Sequence, residues 1–133
     1  GAPNSAGTLT LHLAGNLRHF IGATLGHTGY VRQRDLEFST RDVPRSELLA
    51  LIATTRSEVD ATLAGLDDAV LEAPYALPLP PTSPDHGKVV PTGRFLVHLA
   101  VHLGYHLGQV DFHRRLSTGD GTSVGAMGLS TLF

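Results

Sequence analysis

HLAVHLGYHLGQVDFHRRL, positions 98 to 116, sets five imidazole or amide side chains on one side of a helix. At about 100° per residue, His98, His102 and His106 stand about 40° apart, and Gln109 and His113 fall within the same arc of roughly 80°. Phe95 and Leu99 share or border that arc, whereas Asp111 lies on the far side, so the stripe faces the interior and the charge faces water. Several imidazoles on one buried face are costly unless each finds a partner, which calls for a polar network or a cation. The spacing predicts a helix over residues 92–116 with that face turned inward.

The same projection applied to TLTLHLAGNLRHFIGATLGH, residues 8–27, puts His12, Asn16, His19, Ala23 and His27 on one arc of about 80°. Asn4 and Ser5 precede it as candidate N-caps. Its Gly15, Gly22 and Gly26 each cost up to ~1 kcal/mol relative to Ala, so this helix rests on periodicity and close packing rather than propensity. A second helix is expected over residues 44–65 after Asp42-Val43-Pro44, with Leu48, Leu51, Ile52, Thr55, Val59, Thr62, Leu63 and Leu66 as one packing stripe. The intervening GHTGYVRQRDLEFSTRD is charged and non-periodic. The Pro-dense PYALPLPPTSPDHGKVVPT, within which residues 74–91 are a candidate lid, reads as an extended surface loop. A domain over residues 1–116 and a loosely held Gly/Ser/Thr tail over 117–133 complete the organisation.

The chain has 133 residues, enough for one core; 41% are hydrophobic, 17% are charged, and the formal net charge is −2. That balance excludes a disordered tail and argues against an electrostatic nucleic-acid binder. The absence of Cys removes disulfides, thiolate metal sites, iron–sulfur clusters and a cysteine nucleophile. The longest apolar stretch carries three His and falls short of a membrane span, and the start GAPNSAGTLTLHL has no basic leader, so the expected location is the cytoplasm.

Two His at i, i+4 can reach one metal, and a third from a facing helix completes a three-nitrogen set with a position left for water or substrate. His98 competes with His106 for a place in that set, and His19 competes with His12; a group left out can act beside the metal. Gln109, one turn past His106, is placed to hold a ligand's distal N–H or a substrate. Zn²⁺, Ni²⁺, Fe²⁺, Co²⁺ and Mn²⁺ all accept such a set. Neither His arc carries Asp or Glu, which argues against a di-iron carboxylate bundle, and HExxH, GxxxxGK[ST] and GxSxG are all missing. His19, His27 and His113 sit at the edges of the pattern, His86 falls in the Pro loop, and Arg32, Arg34 and Arg41 read as solvated loop charges that an anionic cofactor can use.

LHLAGNLRHFIG at 11 to 22 and HLAVHLGYHLGQVDFHRRL at 98 to 116 resemble the DinB superfamily, in particular its YfiT-related branch, and the similarity extends through RQRDLEFSTRDVPRSELLA between the helices. The resemblance implies an all-α four-helix bundle holding a divalent metal by three His, carried here onto His12, His102 and His106. It further implies a metal-dependent enzyme of the thiol S-transferase or hydrolase-like type, with a low-molecular-weight thiol as cofactor; in such an enzyme the positions of His98 and Gln109 beside the ligands make them the candidate assisting residues. A non-catalytic metal- or ligand-binding stress protein is the alternative. The family bundle has a helix ahead of LHLAGN, whereas this chain shows three clear helices. The fourth is expected from residues 117–133, from a partner in a homodimer, or from an upstream segment.

Overall fold

A computed structural model of the chain describes residues 4–76, 81–122 and 124. Helix α1 spans Ala6–Leu17, with Ser5 as N-cap, its Oγ accepting from the Thr8 N–H at 3.1 Å. It continues as a π-helical turn over Arg18–Ala23, in which the Thr24 N–H reaches back five residues to the His19 carbonyl. The helix therefore stops four residues short of the expected end at His27. Gly26 explains part of this, because its Cα comes so close to Thr62 that a Cβ would overlap the Thr62 hydroxyl, and His27 itself has left-handed backbone (φ 51°).

Helix α2 (Arg34–Ser39) is a short element inside the segment expected to be irregular. Helix α3 (Arg45–Ala64) follows, with Pro44 preceding its first residue. Its packing stripe is narrower than expected. Thr55 and Thr62 are buried and Leu48, Leu51, Val59 and Leu66 half-buried, but Ile52 and Leu63 face outward at 48% and 41% exposure. Helix α4 (Asp68–Glu72) is capped by the Asp67 carboxylate, which accepts from the Ala69 N–H.

The Pro-dense stretch is more ordered at its ends than a surface loop. Strand β1 (Pro74–Ala76) pairs antiparallel with β2 (Val89–Pro91), in the register Pro74 with Pro91, Tyr75 with Val90 and Ala76 with Val89. Residues 77–80 lie outside those described. Both prolines stand at the open end of this ribbon, where a missing N–H costs no ladder bond. Helix α5 (Thr92–Thr118) starts directly from β2. It runs two residues past the expected end and closes on Gly119 in left-handed conformation (φ 70°). Beyond it the Arg114 guanidinium bonds Asp120 and the Thr122 carbonyl; residues 123 and 125–133 of the expected tail fall outside those described.

Helix α1 packs against both α3 and α5, and because Ile21 meets Phe95 and Leu99 while His12 meets His102, α1 and α5 run antiparallel. At one end Ile21 packs with Tyr75, Phe95 and Leu99 as the core, with the Tyr75 ring stacked on Phe95 at 4.2 Å. In the middle His12 meets His102 and His106, and toward the other end Leu9 faces Gln109 and Phe112 across a groove. The chain is all-α apart from the small ribbon, and among the described residues no fourth long helix is present, and no helix is long and apolar enough to cross a membrane.

Candidate metal centre

His12 on α1 is buried, and His102 and His106 on α5 are half-buried. One nitrogen from each lies within 4.8 Å of the others, and the three rings meet edge to face, with centroids 4.6–5.3 Å apart. The Nε2 atoms of His12 and His102 face each other at 3.4 Å. Two ligand nitrogens at about 2.0–2.1 Å from a tetrahedral ion stand about 3.3–3.4 Å apart, so this pair fits one edge of such a site.

Hydrogen-bond partners fix which nitrogens point inward. The Glu37 Oε2 lies 3.0 Å from His12 Nδ1 and, as a carboxylate, only accepts, so Nδ1 carries the proton and Nε2 presents its lone pair to the cluster. Gln109 Oε1 lies 2.6 Å from His106 Nδ1 and, as acceptor, assigns that ring the same way. His102 Nδ1 is buried without a partner. Burial, then the neighbouring His106, His12 and His98 and the Arg32 cation, push His102 down to about 4, so it is neutral near pH 7. Burial also lowers His12, against the opposing pull of Glu37. His12 and His102 are therefore both biased toward the uncharged form, and His12 and His106 are held from behind, as a transition-metal site requires.

Of the other residues singled out by spacing, His98 stays outside the cluster. It is exposed on α5, its ring near-parallel to His102 at 6.5 Å and to Phe95 at 5.9 Å. Gln109 touches the cluster through His106. His19 packs on Phe20 and is lowered mainly by burial; His27 and His86 are exposed; His113 lines the groove beyond Gln109. That groove encloses about 410 Å³ among Leu9, Tyr105, Gln109, Phe112, His113 and Leu116. The β ribbon, by contrast, packs at the start of α5, about 15 Å along the helix from His102 at 1.5 Å per residue.

Sequence reasoning missed Glu37. It is 6% exposed, and Arg32 grips it with Nε to Oε1 at 2.7 Å and Nη2 to Oε2 at 2.8 Å. Arg32 is thus an internal partner and not a solvated charge, while Arg34 lies over Phe38 and Arg41 bonds the Phe38 and Thr40 carbonyls. The absence of acids from both His arcs holds for α1 and α5, but the carboxylate arrives from α2, which also lays Phe38 against the His12 ring at 4.9 Å. The one sequence signal was Gly15: a glycine inside a helix, beside the His arc, marks a place where something comes close.

A family model described as the DinB superfamily matches residues 1–110. No curated protein and no solved structure matches the chain. With the family matched over most of its length and a three-His cluster spanning two of its helices, the chain belongs to the DinB superfamily.

Proposed function

We propose that His12, His102 and His106 hold one divalent transition metal, Zn²⁺, Ni²⁺, Fe²⁺, Co²⁺ or Mn²⁺, and that the protein is a metal-dependent enzyme of the thiol S-transferase or hydrolase-like type. The observation that carries the reading is the convergence of three imidazoles from two helices, two of them fixed from behind by Glu37 and Gln109. When bound, the cation supplies Lewis acidity, lowering the pKa of a low-molecular-weight thiol or of a water. His98, exposed one turn ahead of His102, would serve as the proton acceptor beside the site, and Gln109 positions His106. The adjoining groove, lined mainly by apolar side chains with Gln109 at its wall, receives the substrate's apolar part.

Elemental analysis of protein purified without a nickel column tests the site. Near-stoichiometric metal is expected in the wild type and in Asp111→Asn, whose carboxylate is engaged with Arg114 and Arg115, and loss is expected in His102→Ala. Equal metal in His102→Ala and wild type overturns the ligand set. Fluorescent adduct formation between a low-molecular-weight thiol and monochlorobimane tests the transferase, and no acceleration over buffer across several thiols and metals removes it.

The outer face of α5 favours a second reading, a non-catalytic binding protein that works as a homodimer. Val97 and Val101 are at least 60% exposed there, as are Tyr105, Phe112 and Leu116 where that face borders the groove. A second copy laid on this face buries them. Sedimentation at micromolar concentration gives a dimer on this reading, and Val101→Lys gives a monomer with its metal content unchanged.

A further inference from the structure

The cost of burying Glu37 needs a reason. Its neighbours Leu36 and Ser39 on the six-residue α2 face solvent, yet the Glu37 carboxylate is enclosed and makes three short contacts, two with Arg32 and one with His12. An apolar side chain would pin α2 against α1 with no ion to desolvate. Helix α1 in turn gives up helix propensity to make room. A Cβ on Gly15 would overlap Glu37 Oε1 and lie 2.7 Å from Cδ, inside the carboxylate. Gly in a helix interior is less favourable than Ala, so both helices carry a penalty at the same point of contact.

We propose that Gly15, Glu37 and Arg32 form a seat whose purpose is to position His12 for the cation. This rests on the reading of the three His as a metal site. Arg32 has only donors, so its fork fixes the plane of the carboxylate. The carboxylate has only acceptors, so it fixes the His12 tautomer and ring orientation and strengthens Nε2 as a ligand. Arg32 Nη2 also lies 3.4 Å from His12 Nδ1, an approach of two donors that is tolerable because both aim at the same oxygen. Glu37 and Arg32 lie in the connection between α1 and α3, which thereby becomes part of the metal centre. Gly15 acts only by leaving space.

Co²⁺ binding separates this from a merely structural role, because its affinity comes from competition with a chromophoric chelator and its visible d–d spectrum reports ligand geometry. Glu37→Gln, which keeps the shape, is expected to weaken Co²⁺ binding 10- to 100-fold, roughly the loss typical of removing such an outer partner, and to alter the d–d band. Gly15→Ala is expected to do the same by displacing the carboxylate. Adding Gly15→Ala to Glu37→Ala is expected to cost no further affinity, since Gly15 then has nothing to make room for. Wild-type affinity and an unchanged spectrum in Glu37→Gln overturn the proposal even if Gly15→Ala fails to fold, as does additivity in the double variant. A wild-type protein that binds no Co²⁺ overturns the metal site itself, and a wild type that binds while Glu37→Gln binds equally well removes only the seat.

Discussion

A protonated imidazole cannot ligate a cation, so the charge of His102 decides what the site can do before any other property. Burial, three imidazole neighbours and Arg32 hold its proton affinity down to about 4, against 6.5 for a free side chain. Between those values the folded, metal-free chain binds fewer protons than the unfolded one, so stability rises with pH across the window. The contribution is complete above 6.5 and is lost as pH falls toward about 4, and His12, also lowered, adds in the same direction. Urea midpoints of chelator-treated protein should therefore drop from neutral pH to about pH 4, less so in His102→Ala. A flat wild-type profile would contradict the lowered proton affinity of His102. His102 and His106 were legible because one helical period of 3.6 residues puts i and i+4 on one face. The choice of His12 over His19 needed the family resemblance, since both lie on the same arc. Glu37 was illegible for a physical reason: its burial depends on where α2 docks, 25 residues along the chain from His12, and no local period encodes that docking.

At the scale of elements, the long helices announce themselves through many repeats of one period, and the short pieces do not. Six residues of α2 and three of each strand are too few for a pattern to stand out from chance. Pro74 and Pro91 argued against strand, yet paired at the ribbon's end they leave it intact. What the ribbon achieves is to place Tyr75, 1% exposed, against Phe95 and to bring its hydroxyl to the Phe20 carbonyl at 2.7 Å. That carbonyl sits inside the π-helical turn, so Tyr75 ties the ribbon to the part of α1 where the helix changes pitch. Thr92 adds a second tie, its N–H and hydroxyl both donating to the Ala73 carbonyl at 2.9 Å. Tyr75→Phe keeps the stacking and removes one buried hydrogen bond, which should cost about 1–2 kcal/mol in chemical denaturation, with metal content unchanged. Tyr75→Ala removes the ring as well and should cost about 3–5 kcal/mol. A loss of metal in Tyr75→Phe at full helix content would show instead that the ribbon supports the His cluster.

Taken whole, the α1–α5 pair is unevenly held. Its apolar contacts concentrate where Ile21 meets Phe95 and Leu99, while the stretch around His12, Asn16, His102 and His106 is polar, with Asn16 Oδ1 and His102 Nδ1 both buried and unpartnered. Such atoms destabilise the fold, by about 1–3 kcal/mol each where nothing satisfies them. A cation bound to His12, His102 and His106 would join two helices whose ligands lie 90 residues apart in the chain, and because it binds the folded arrangement its affinity adds directly to stability. At free metal roughly 100 to 1,000 times the dissociation constant the gain is about 3–4 kcal/mol. Stripping with a chelator should lower Tm by several degrees and titration of Zn²⁺ or Co²⁺ should restore it, with the shift absent from His102→Ala. Amide exchange should locate the effect. Metal is expected to slow exchange most in α1 and the middle of α5, and least in α3, which supplies no ligand to the cluster. Protection spread evenly over α3 as well would mean that the ion stabilises the chain globally and does not act as a link between α1 and α5.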